Sequence, residues 1–289
     1  MATGLGLSEG VLALEEQDLF WKRVDIESAG GTALLLLHGA GVAGGLTWGP
    51  MIELIAPRPT LLVPDLRGAG RSRDPDGIER PFTIDQVVED IVALLDDQRV
   101  ERCEVVGYSF GGLVAMRLKQ RLGERIESTT LIEPGLLERA DQAEMRCVRQ
   151  GYHRAAARVR SGTEVEAGIV DFLDLIAPRR SRHPYIERVA IARLAERPLG
   201  FANALDCLAQ AVCRLDCEEV IAAQRHVLCL VGGKSPETLR DYHHALAAAR
   251  DDWECVEIGG ADHSLPFQKP RRIAALLDRA SAMRAASLR

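Results

Sequence analysis

Short apolar runs alternate with helical patterns through most of the 289 residues, and that alternation predicts a parallel α/β sheet. Strands are expected at Val11–Leu14, Trp21–Ile26, Ala33–Leu37, Thr60–Val63, Cys103–Val106, Thr129–Ile132, Val227–Val231 and Cys255–Ile258. The central runs are largely apolar along their length, as strands covered by helices on both faces should be. Helical patterns fall between them at 47–57, 84–98, 111–122, 237–250 and 268–286, and Thr83 is placed to cap the second.

The alternation stops between Gly135 and Ala223, where helical patterns continue without a convincing strand. The strands on either side belong to one sheet, and an insertion between them is tolerable because its ends return close together. The expected architecture is therefore one α/β core, residues 1–134 and 224–289, with a helical lid (cap) insertion at 135–223. The sheet should be mostly parallel and eight-stranded.

Composition removes several classes of function. A net charge of −6 gives no electrostatic reason to expect nucleic acid or an anionic membrane as a partner. The strongly apolar runs are far shorter than a membrane span of roughly 18 to 20 residues. MATGLGLSEG lacks a basic stretch followed by an apolar one, so no secretory signal is read and a cytoplasmic location is expected. The seven cysteines are scattered without a Cys-x-x-Cys, which reads as buried free thiols in a reducing compartment, with no metal. The glycine-rich run Gly39–Gly45 lacks a dinucleotide register and an acidic residue for the ribose, so no cofactor is expected. The expected partner is a small-molecule substrate, and the chain is read as a monomer or homodimer.

The chemistry concentrates at strand ends. Gly107-Tyr108-Ser109-Phe110-Gly111-Gly112 follows the run Cys103–Val106 and opens a helix. A strand that turns sharply into a helix strains its apex residue, and glycines on either side relieve close approach, so Ser109 is presented as a nucleophile. The helix N-terminus favours the negative charge that develops there. His38-Gly39-Ala40-Gly41 ends another strand, and the backbone N–H groups of Ala40 and Phe110 form a candidate oxyanion hole, with His38 as a structural brace. A serine needs a base within reach. His263 follows the last strand in a loop before the C-terminal helix. His243 and His244 read as surface residues in mid-helix. Trp48, Met51, Tyr108, Leu265 and Phe267 lie beside these motifs and are candidates for a substrate pocket, with core packing as the alternative for each.

Four segments recur in this order in the α/β-hydrolase superfamily: LLLLHGAG, the run Pro64 to Ser72, GYSFGG and GGADHSLPF. The chain resembles that superfamily nearly everywhere outside the insertion. The resemblance implies the fold and the nucleophile, and says little of the substrate. It also exposes a departure. Ser235 stands after the penultimate strand where such proteins usually carry an aspartate, and a hydroxyl cannot stabilise an imidazolium. Glu133, at the end of the strand after the nucleophile helix, is the candidate acid. This arrangement resembles the branch that includes haloalkane dehalogenases and zearalenone-type lactone hydrolases. Glu237 and Asp241 are held in reserve, and Asp262 is too close to His263 in sequence to orient it.

The implied activity is hydrolysis of an ester, lactone or thioester of a small, largely apolar substrate through an acyl-enzyme. Carbon–carbon hydrolysis or a lyase or cyclase step by the same residues, and a non-catalytic receptor, are the alternatives. Dehalogenases and epoxide hydrolases place an aspartate where Ser109 stands. Eight arginines between Arg146 and Arg182 read as a solvated helical face, or else as recognition of an anionic substrate.

Overall fold

The computed structural model describes residues 5–287; the first four residues of the stretch read for a leader lie outside it. Eight strands form one sheet: β1 (Leu5–Ala13), β2 (Asp18–Ile26), β3 (Ala33–Leu37), β4 (Thr60–Pro64), β5 (Cys103–Tyr108), β6 (Ile126–Ile132), β7 (Val227–Gly232) and β8 (Trp253–Ile258). Their order is β1-β2-β4-β3-β5-β6-β7-β8. β1 and β2 form an antiparallel hairpin whose second strand runs antiparallel to β4, and every later pairing is parallel. The hairpin strands begin earlier than their apolar runs, because polar residues on an edge ribbon alternate toward solvent and still pair through the backbone.

Strand side chains alternate between the two faces. Leu34 and Leu36 of β3 pack on one side with Trp48 and Met51, while Leu35 and Leu37 pack on the other with Val87 and Leu113. Helices α1 (Gly44–Ile52), α2 (Ile84–Asp97) and α3 (Phe110–Leu122) cross between strands. Thr83 caps α2 as expected, with a reciprocal capping box to Gln86. α1 starts three residues before its pattern and ends five residues sooner.

Between β6 and β7 the chain forms only helices: α4 (Gln142–Arg160), α5 (Val165–Ile176), α6 (Pro184–Leu194), α7 (Pro198–Arg214) and α8 (Cys217–Ala222). They have their own apolar interior, with Tyr152, Phe172 and Phe201 stacked edge-on at 5.1 and 5.2 Å. They also seat closely on the sheet's loops. Gly68 and Gly200 approach so tightly that a Cβ on either would meet the other's backbone.

The chain closes with α9 (Glu237–Ala249), α10 (Leu265–Gln268) and α11 (Pro270–Ser287). The C-terminal helix expected at 268–286 is α11, which starts two residues later, and the short α10 precedes it. Pro270 has no amide hydrogen and pushes Lys269 out of helical backbone (φ −136°), so a break falls there. No described helix is long and apolar enough to cross a membrane.

Candidate active site

Ser109 lies between β5 and α3 with φ 52° and ψ −111°. Such a conformation costs a non-glycine residue about 1–3 kcal/mol and persists only where its surroundings impose it. Its N–H donates to the Ile132 carbonyl (2.9 Å), and its carbonyl accepts from Gly112 and Gly135 (both 2.9 Å). The glycines around it are there for want of room. A Cβ on Gly107 would run into the Gly111 carbonyl, one on Gly111 into the Leu37 carbonyl, and one on Gly112 into the Pro134 ring.

The turn that clamps Ser109 is Ile132-Glu133-Pro134-Gly135, so Glu133 is built into the same knot. Glu133 has φ 42° and is 1% exposed. Its Oε1 accepts from the Gly232 amide (2.7 Å) and the Ser235 hydroxyl (2.5 Å), and its Oε2 accepts from His263 Nδ1 (2.7 Å). Ser235, noticed in the sequence only as a missing acid, is a hydrogen-bond donor to the carboxylate. Arg179, just beyond α5, donates to the carbonyls of Lys234 (2.9 Å) and Ser235 (2.5 Å) and so ties the helical segment to this loop. Burial works against charging His263, but the hydrogen bond it donates to Glu133 and that group's negative charge outweigh it, and the ring's pKa is raised above the usual imidazole value. Glu237 and Asp241 are solvent-exposed on α9 and make no hydrogen bond or ion pair with His263 among the described residues.

The His38 loop is braced from beneath. His38 Nδ1 donates to the Gly39 carbonyl and its Nε2 accepts from the Leu66 amide, both at 2.7 Å. Full burial pushes its pKa down, against the pull of Asp65 and Gly39, so the neutral ring serves as a strut. Asp65 accepts from the amides of Gly44 and Arg71, which holds the turn after β3 against the turn after β4. Neither the Ala40 nor the Phe110 amide donates to another group among the described residues.

These parts meet in a cavity of about 370 Å³ at the carboxyl ends of the strands, where α/β sheets place their sites. Ala40, Tyr108, Ser109, His263 and Phe267 line one side; α5 and α6 supply the other through residues such as Phe172, Ile176 and Tyr185. Ser109 Oγ makes no hydrogen bond among the described residues, a common condition of unliganded sites.

Three pocket expectations fail. Trp48, Met51 and Leu265 are 0% exposed and pack between the sheet and α11, away from the cavity. Burying each contributes about 2 kcal/mol, so their role is in the core. His243 is likewise no surface residue. It is fully buried, its Nδ1 is 3.0 Å from Cys229 Sγ, and burial lowers its pKa to about 3. Of the cysteines, Cys147 and Cys213 are exposed, Cys255 is half-buried and only the other four are buried; all are free. No group of three or more His, Cys, Asp or Glu among the described residues could hold a metal.

A mostly parallel eight-stranded sheet with a serine at the strained strand-to-helix turn defines an α/β-hydrolase architecture. Residues 34–276 match the model of the Alpha/beta hydrolase family, and the chain belongs to that family. It is similar to a candidate carbamate hydrolase, RutD, of Azorhizobium caulinodans, with 34% identity over 117 residues covering 40% of this chain and 41% of that one. It is also similar to 2-hydroxymuconate semialdehyde hydrolase of Pseudomonas sp. strain CF600, 31% identical over 108 residues, 37% of this chain and 38% of that protein. The chain thus spans about two fifths of the length of the curated relatives it matches. Among solved structures, an enol-lactonase from Burkholderia xenovorans LB400 superposes with a TM-score of 0.71 at 21% identity, over 94% of this chain and 99% of that one. At that identity the likeness is one of fold.

Proposed function

We propose that this protein is a serine hydrolase that cleaves an ester, lactone or thioester of a small, largely apolar substrate through an acyl-enzyme. The observation that carries the reading is the Glu133–His263 hydrogen bond at the wall of the cavity that also receives Ser109. Ser109 Oγ attacks the substrate carbonyl while His263 Nε2 takes the hydroxyl proton. The imidazolium so formed keeps its Nδ1–H on Glu133. The oxyanion is held by the amides of Ala40 and Phe110 at the positive end of α3. As the intermediate collapses, His263 returns the proton to the leaving group. Water, deprotonated by the same ring, then releases the acid. In this reading residues 135–223 act as a cap, whose α5 and α6 close the cavity over the acyl group.

A fluorophosphonate probe is expected to label Ser109 stoichiometrically and abolish ester turnover, with the adduct placed on the tryptic peptide Cys103–Arg117 by mass spectrometry. Active protein that leaves the probe unreacted would remove the serine nucleophile from the reading.

The pH profile offers an independent check. His263 must be neutral to accept the proton, and Glu133 raises its pKa above the ordinary value of about 6.5. The acid limb of kcat/KM should therefore rise through a pKa above 6.5. A limb centred below that value would mean that Glu133 does not stabilise the charged ring in solution.

A further inference from the structure

We infer that Arg193 binds a carboxylate on the acyl portion of the substrate, so that the preferred substrates are half-esters or lactones of dicarboxylic acids. The inference rests on the reading of the cavity as a hydrolase site and names its substrate class.

The arginines that suggested an anionic substrate in the sequence are occupied elsewhere. Arg149, Arg158, Arg160, Arg180 and Arg182 pair with carboxylates, and Arg179 donates to backbone carbonyls. Arg146 and Arg154 are exposed, and none of the eight lines the cavity. Arg193, on the inner face of α6, does. It is the cavity's one guanidinium, no Asp or Glu lines the same space, and it makes no ion pair or hydrogen bond among the described residues.

Its guanidinium carbon lies 4.8 Å from the centre of the Phe267 ring. That stacking fixes the plane of the fork but satisfies none of its five N–H donors. The rest of the wall is mostly aliphatic or aromatic, including Phe172, Ile176, Val189 and Leu194. A half-buried charge in such surroundings gives up hydration that a planar two-oxygen acceptor restores through paired N–H···O bonds. No other lining group besides His263, assigned to proton transfer, can carry a positive charge to meet a carboxylate. Gln268 is already bound at both ends to Asp262, by its Oε1 and its Nε2, and Ser264 carries no charge. Arg193 comes from α6, whereas Ser109 stands at the turn after β5 and His263 in the loop after β8, and all three line the same cavity.

The test compares mono-4-nitrophenyl glutarate with 4-nitrophenyl pentanoate, two esters of five-carbon acyl groups that differ in the terminal carboxylate. In Arg193→Met the ratio of kcat/KM for glutarate over pentanoate is expected to fall about 30-fold, chiefly through KM, with Arg193→Lys keeping part of the preference. A ratio within about twofold of wild type overturns the inference and leaves Arg193 as a stacking residue on Phe267. Calorimetric binding of glutarate itself to Ser109→Ala, with and without Arg193→Met, separates the two readings. Glutarate affinity that drops at least tenfold with the second substitution supports the inference, and equal or absent affinity in both overturns it. Turnover of neither ester counts against the hydrolase reading, and the binding measurement then decides Arg193 alone.

Discussion

Ser109→Ala is expected to lower kcat by about a million-fold, the loss seen when a serine nucleophile is removed from a complete set of partners. Its stability should change little. The Ser109 side chain makes no hydrogen bond among the described residues, while the clamps on its backbone, from Ile132, Gly112 and Gly135, involve only main-chain atoms and survive the substitution. Alanine tolerates the φ of 52° no better and no worse than serine, since the strain arises at Cβ. A thermal midpoint within a few degrees of wild type, together with the loss of turnover, separates a lost nucleophile from a lost fold. Residual activity above about 1% of wild type would place the attacking group elsewhere.

Glu133→Gln should cost roughly ten-thousandfold in kcat, for a reason visible in the hydrogen bonds. Oε1 of Glu133 accepts from two donors, the Gly232 amide and the Ser235 hydroxyl. A glutamine would keep its carbonyl oxygen on those donors and turn its NH2 toward His263. The ring must then accept at Nδ1 and carry its proton on Nε2, the tautomer that cannot take a proton from serine. Oxyanion stabilisation and binding remain, so activity should stay above the uncatalysed rate. The acid limb of the pH profile should also move down, because the charge that raises the His263 pKa is gone. A Glu133→Gln enzyme within tenfold of wild type would send the search for the acid elsewhere, and the exposed Glu237 and Asp241 would need a rearranged loop to serve.

The fold was legible because its signals are local and repeated. Apolar runs at β3 to β8, separated by helical patterns, leave few topologies open, and the elbow glycines reveal a turn too tight for side chains. What was not legible depends on which side of the sheet a neighbour lands. Trp48 and Met51 follow the His38 loop closely in sequence, yet α1 turns them under the sheet, away from the cavity. The same gap hid Arg193. Nothing in the charge pattern of α6 distinguishes it from its neighbours, and only the packing of α6 over α10 turns it inward. His243 misled for the opposite reason. A polar residue in mid-helix beside His244 suggests solvent, but the helix face is set by Leu239 and the sheet, which enclose the ring. The missing aspartate points to Glu133 from sequence, whereas the donor role of Ser235 arises only where the folded 232–235 loop meets that carboxylate.

The seat of Glu133 is assembled from stretches far apart in the chain: the 132–135 turn, the 232–235 loop and, through Arg179, the end of α5. An engineer who exchanged the helical segment to change substrate preference would therefore also disturb the loop on which the Glu133 carboxylate rests. On the proposed reading, selectivity and proton affinity are wired together. A graft that keeps Ser109, Glu133 and His263 but drops the Arg179 tether should arrive with a mistuned base, and restoring that arginine is the first repair to make.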